Sequence, residues 1–313
     1  FDVVGREERG EGRGYERWIR GELERLKQEG RRLGALIIEP VVLGAGGMLL
    51  VDPLFQCTLV KVVRENPQLF GEPTECPADG QTWTGLPVIF DEVFTGLYRL
   101  GRFSAASFLG VDADISVHAK LLTGGLVPLS VTLGSESIFK AFESDDKSDA
   151  LLHGHSYTAH AVGCQVAVES IKEMQKMEAR GDWAWAQTTP ATTPGAQDTV
   201  WSVWGSEFIL GLPALSGGMI GGVWAVGTVL AIRMASADGS QGYKGSAALA
   251  LHQALLQEPD GGDGMRWNIH TRVLGNTLYL MTGQKTTEET VRAVESRLRD
   301  AVLKVRAATV AQA

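Results

Sequence analysis

Two hydrophobic rhythms organise this chain. The first consists of short apolar runs closed by Gly, Pro or Asp: ALIIEP at 35–40, Pro87 to Phe90 and Ile115 to Val117, while GTVLAIRM at 227–234 reads simply as a further strand. Such runs predict strands buried on both faces, as in a parallel sheet covered by helices. The second recurs every three or four residues and predicts helices. Tyr15, Trp18, Ile19, Leu23 and Leu26 line one face of a helix over 15–32 that packs on the sheet and ends at Gly34. Further helices are predicted over 54–65, over 157–179 with Val162, Val166, Val168, Ile171 and Met174 facing the core, and over 243–256. A last helix buries Val291, Val294, Leu298 and Val302, and Thr286 and Glu289 stand at capping-box spacing at its start. Asn268 to Met281 predicts two short strands around the turn LGN.

Alternation of strands and helices makes this an α/β chain with a mostly parallel sheet. The Thr- and Pro-rich stretch WAWAQTTPATTP at 183–194 reads as a connection, dividing a large domain, 1–185, from a small C-terminal α/β domain, 186–313. Residues 1–14, charged and Gly-rich, are expected to be loose. Residues 66–87, dense in Pro, Gly and Asp, read as a surface loop, and 102–111 as a short helical connection. Phe208 to Ile232 has no charged residue and is long enough to span a bilayer. Pro213 and six glycines make it a loop leading into a strand instead, so no membrane partner is expected.

Composition narrows the classes. At 313 residues with 44% hydrophobic and 21% charged residues, the chain has the make-up of a soluble globular protein. A net charge of −8 without a basic tract argues against nucleic acid as a partner. Cys57, Cys76 and Cys164 fit no metal spacing and no disulfide framework, which favours a reducing compartment. The sequence opens on Phe1 rather than Met and carries no signal-like segment, and reads as a fragment.

Candidate chemistry gathers where apolar runs end. Asp91 closes one predicted strand and Lys120 follows another, and ligands of parallel sheets sit beyond the carboxyl ends of strands. A lysine amine condenses with an aldehyde, and pyridoxal phosphate needs a carboxylate at its ring nitrogen. Lys120 and Asp91 suit those two tasks, although by spacing alone each reads equally as a cap or loop charge. Glu39 ends ALIIEP, and the GAGG that follows lacks the lysine and glycine spacing of a phosphate loop. His153, His155 and His160 lie close enough in sequence for a zinc site, but no Cys or carboxylate completes the set, and no metal is expected. Arg272 has the planar fork that grips a carboxylate, yet alone it reads as an ion-pair partner.

The wording around these residues adds more. DEVFTGLYRLGRF, AKLLTGG and HGHSYTAHAVGC resemble three successive blocks of the class III, fold type I, aminotransferases. WNIHTRVLGNTLYLM resembles the diaminopelargonate aminotransferase branch of that family, particularly its members fused to dethiobiotin synthetase. The resemblance covers roughly residues 34 to 306, with gaps, and implies a pyridoxal phosphate transferase fold with a mostly parallel large domain and a small α/β domain. It implies pyridoxal 5'-phosphate as cofactor, Lys120 as its amine partner and proton carrier, Asp91 at the ring nitrogen and Val93 against one ring face. By the same resemblance Glu39 lines the site within IIEPVVLGAGGM, and Gly154, His155 and Ser156 meet the cofactor phosphate, across a homodimer interface. Arg272 holds the substrate carboxylate, with Tyr279 in the site wall. The implied partners are S-adenosylmethionine and 8-amino-7-oxononanoate, and the fused members point to mitochondria, with the cytoplasm as the alternative. The family's phosphate loop, stacked aromatic residue and donor-selecting side chains lie ahead of the position of Phe1. Two other outcomes stay open: a class III enzyme for another ω-amino acid, or an inactive fragment that binds no cofactor.

Overall fold

A computed structural model describes residues 1–71, 86–151, 154–186, 200–236, 239, 244–257 and 267–312. Cys76, His153, Tyr243, most of the 66–87 loop and most of the Thr- and Pro-rich connection lie outside the described residues. In chain order the elements are α1 (Val3–Glu8), α2 (Arg13–Gln28), β1 (Leu36–Ile38), β2 (Val42–Leu43), β3 (Leu49–Leu50), α3 (Pro53–Glu65), β4 (Val88–Asp91), β5 (Ile115–His118), β6 (Val131–Gly134), α4 (Glu136–Lys140) and α5 (Ala161–Arg180). They continue with α6 (Ser206–Leu215), β7 (Ile220–Val226), β8 (Val229–Met234), α7 (Leu249–Leu256), β9 (Arg272–Leu274), β10 (Thr277–Met281) and α8 (Glu288–Gln312). These form two compact units: 1–42, 51–98 and 102–176, and 43–50, 99–101 and 177–313.

The first unit holds the sheet β1-β4-β5-β6, in which β1, β4 and β5 run parallel and β6 returns antiparallel. β4 buries Val88 and Phe90 completely, but β1 is an edge strand whose Ile37 is 64% exposed. ALIIEP is therefore not buried on both faces, because an edge strand with one uncovered face exposes every second side chain. α2 forms on the expected periodicity but packs on α3 rather than on the sheet, burying Ile19 and leaving Trp18 in solvent. Residues 3–8 are helical, not loose: the Asp2 carboxylate accepts the Gly5 N–H at 2.9 Å and supplies the missing cap.

α3 starts sharply because Asp52 caps it and Pro53 takes the first helical position. The same carboxylate accepts two bonds from the Arg6 guanidinium, at 2.7 and 2.8 Å, and the Tyr15 hydroxyl at 2.8 Å, tying α1 and α2 to α3. Those donors hold the Asp52 carboxyl well down, at about 2, with Arg6 the largest cause. α5 begins at Ala161, later than the periodicity predicts, and buries Gly163, Ala167 and Met174 while Val162 and Val168 face solvent.

The second unit is built on an antiparallel sheet, β7-β8-β10-β9. Its second strand, β8, buries Val229 to Ile232 and Met234, with Arg233 alone exposed. The β7–β8 turn needs Gly227: at φ +57 a Cβ there would lie 2.4 Å from the Leu100 carbonyl carbon. Residues 206–215, expected as loop, form α6, and Pro213 is tolerated near its end. No helix among the described residues is long and apolar enough to cross a membrane. α7 begins at Leu249 rather than near 243, and α8 is capped by Thr287, whose hydroxyl accepts the Thr290 N–H, one residue later than the Thr286 expected. α8 packs Val291, Leu298 and Val302 inward, and its buried Glu295 accepts the Gly205 N–H at 2.6 Å, tying α8 to the start of α6.

Candidate active site

Three parallel strands end side by side in the first unit. Ile38 pairs with Phe90, and Asp91 pairs with Val117. Continuing the first register by one residue sets Glu39 opposite Asp91. Lys120 follows three residues beyond Val117, so Glu39, Asp91 and Lys120 leave the sheet at one carboxyl edge.

Asp91 is half-buried, and its Oδ1 accepts the Val93 N–H at 3.0 Å. Oδ2 has no partner among the described residues. That amide bond fixes the carboxylate's direction and draws Val93, also half-buried, in beside it. Glu92 turns the other way and is structural: it is buried, accepting the Ser104 hydroxyl at 2.6 Å and the Ala105 N–H at 2.8 Å. Within the Asp-Glu pair, one acid is thus spent on folding and the other keeps an oxygen unspent among the described residues.

Lys120 is exposed, at φ +49, and opens a single 3-10 turn, Lys120–Leu122, before Gly124 and Gly125 at φ +61 and +85. A non-glycine residue in the left-handed region is uncommon and clusters at functional positions. Its amine makes no hydrogen bond or ion pair among the described residues. A carboxylate with one oxygen unspent at the end of β4 and an unspent amine in the turn after the neighbouring β5 are the donor set pyridoxal phosphate requires, and the residues present fit it.

Sequence patterning missed His118, whose Nε2 lies 3.2 Å from the Ser116 hydroxyl while its Nδ1 is buried without a partner, two residues before Lys120. A lone histidine in a strand gives no signal of that. It also missed Arg99, a buried guanidinium in the second unit that donates to the Thr228 hydroxyl and the Thr282 carbonyl, both at 3.0 Å. With no carboxylate beside it among the described residues, burial pushes Arg99 down to about 10.

Gly154, His155 and Ser156 are exposed in the loop before α5. The His155 N–H donates to the Thr158 hydroxyl at 2.8 Å and its Nδ1 accepts the Tyr157 N–H at 3.0 Å, so His155 is occupied with shaping the loop. His160 caps α5 by accepting the Gly163 N–H at 3.1 Å. The Ser156 hydroxyl is left without a partner among the described residues. In the second unit, Arg272 and Tyr279 are directly opposed across β9 and β10. Arg272 is exposed and without a partner among the described residues, and Tyr279 is half-buried.

The architecture is that of aminotransferases. The adenosylmethionine-8-amino-7-oxononanoate aminotransferase of Methanocaldococcus jannaschii matches with a TM-score of 0.63 at 22% identity, covering 86% of this chain and 53% of that one. Residues 82–185 belong to the family "Aminotransferase class-III", whose members use pyridoxal phosphate. The bifunctional dethiobiotin synthetase/adenosylmethionine-8-amino-7-oxononanoate aminotransferase of Emericella nidulans is 52% identical over 97% of this chain and 38% of its own length. The bifunctional dethiobiotin synthetase/7,8-diamino-pelargonic acid aminotransferase, mitochondrial, of Oryza sativa subsp. japonica is 40% identical over 84% of this chain and 28% of its own length. The chain spans well under half the length of these curated relatives.

Proposed function

We propose that the intact protein is a pyridoxal phosphate-dependent aminotransferase that moves an amino group from S-adenosylmethionine to 8-amino-7-oxononanoate, giving 7,8-diaminononanoate. The observation that carries this is the pair Asp91 and Lys120, each with an unspent polar group, at the end of β4 and in the turn after β5, strands that pair at Asp91 and Val117. The names of the two bifunctional relatives support the choice of substrates.

When bound, the cofactor supplies an aldehyde that condenses with amines and a ring that stabilises negative charge on the substrate carbon. Lys120 holds it through Nζ and then carries a proton at that same atom. Asp91 keeps the ring nitrogen protonated through Oδ2, and Val93 packs on the ring. Ser156 meets the phosphate through its hydroxyl, in the site of a second copy of the chain. Arg272 grips the carboxylate of the keto substrate in two parallel hydrogen bonds, beside Tyr279. A mitochondrial location follows the rice relative's name.

The test is the absorption spectrum of the intact protein after pyridoxal phosphate is added and the excess removed, with Lys120→Ala alongside, followed by donor assays. A visible band lost in the variant and transfer from S-adenosylmethionine are expected. No band, or transfer from ornithine but not from S-adenosylmethionine, overturns the proposal.

A further inference from the structure

Gln56 lies on α3, outside every motif of the site, yet it is only 2% exposed and both ends of its carboxamide are used. Its Oε1 accepts the Val41 N–H at 2.7 Å, and its Nε2 donates to the Glu39 carbonyl at 2.9 Å. The side-chain amide thus acts as a peptide group, closing the turn Glu39-Pro40-Val41 from one side. Such a clasp has a physical reason. Val41 is completely buried and stands at φ +70, a conformation that β-branched residues avoid and that persists only where the surroundings enforce it. Pro40 brings no N–H of its own, and the turn's one internal bond is the short i to i+2 link from the Val42 N–H to the Pro40 carbonyl at 2.8 Å. A bond from the Val51 N–H to the Val41 carbonyl, also at 2.8 Å, fixes the far side.

We propose that Gln56 is a positioning residue for Glu39, holding the strained turn so that the Glu39 carboxylate stands beside Asp91 at the cofactor edge of the sheet. The proposal rests on the reading of Glu39 as a member of that pocket. Leucine at 56 keeps the bulk but leaves the Val41 N–H and the Glu39 carbonyl unpaired, and the turn relaxes toward φ below zero, carrying Glu39 away.

The test is a double-mutant cycle on pyridoxal phosphate affinity, measured by equilibrium titration of the intact protein with Q56L, E39Q and Q56L/E39Q, each first checked for a cooperative thermal transition. E39Q and Q56L are each expected to weaken binding about tenfold, and the double variant no more than either alone, because both remove one interaction. If Q56L does not fold, Q56E replaces it, keeping the volume and an acceptor for Val41 but, when ionised, no donor for Glu39. An E39Q protein that binds as wild type removes Glu39 from the pocket and the proposal with it. Weakening in E39Q with none in a folded Gln56 variant, or losses that multiply in the double variant, overturns the role of Gln56 while leaving Glu39 in place.

Discussion

In the first unit the sheet presents Asp91 and Lys120 at one edge with polar atoms unspent, and its edge strand leaves Ile37 mostly in solvent. In the second, β8 buries five of its six side chains between paired strands, and polar groups such as Glu295 and Arg99 are tied into caps and turns. One sheet is arranged to deliver side chains and the other to bury them. The difference follows from topology. Parallel strands send their ends, and whatever residues follow, to the same side, whereas the antiparallel hairpins of the second unit turn back within a few residues and close on themselves.

Four substitutions sharpen or break that contrast. The largest effect is expected from Lys120→Ala, with transaminase turnover down by at least about 10⁴-fold and an unchanged unfolding midpoint, read from kinetics and melting of the same preparation. A fall in stability instead would make Lys120 a folding residue like those of the second unit. Next, Ile232→Ala, in the centre of β8, is expected to cost about 3 kcal/mol in denaturant unfolding, against about 0.5 kcal/mol or less for Ile37→Ala. Equal losses would show that the edge of the first sheet is covered in the intact protein.

Arg272→Ala crosses the line from the second unit, and is expected to raise KM for the keto acid about 10- to 100-fold with the melting temperature unmoved. A change in kcat alone would remove it from carboxylate binding. Asp52 crosses from the other side, a stabilising carboxylate in the unit that holds Asp91 and Lys120. Its folded pKa, about 2, lies below the usual 3.8, so its contribution is complete above about pH 4 and disappears as pH falls toward 2. Asp52→Asn is therefore expected to cost about 2 kcal/mol at pH 7 and progressively less as acid unfolding is followed below pH 4. A gap independent of pH would show that the charge of Asp52, and with it the ion pair with Arg6, is not the source of the loss, since asparagine keeps the cap.

Sequence alone determined the strands of the parallel sheet, the hairpin around Gly275 and the face of α8, because their periodicities are local and their turns are marked by Gly, Pro or Asp. It also set Asp91 and Lys120 at strand ends, since a strand's last residue is defined by the apolar run before it. Tertiary structure decided the rest. Whether a strand is central or an edge depends on which partners pair with it, so the apolar ALIIEP gave no hint that Ile37 is exposed. The helical rhythm of α5 could not tell which stripe is buried, because the stripe that holds Gly163, Ala167 and Met174 is no more apolar than the one that holds Val162 and Val168. Gln56 was invisible for the same reason: a buried carboxamide clasping a turn 15 and 17 residues away has no local pattern, and only the placement of α3 against the turn after β1 brings its donor and acceptor to Glu39 and Val41.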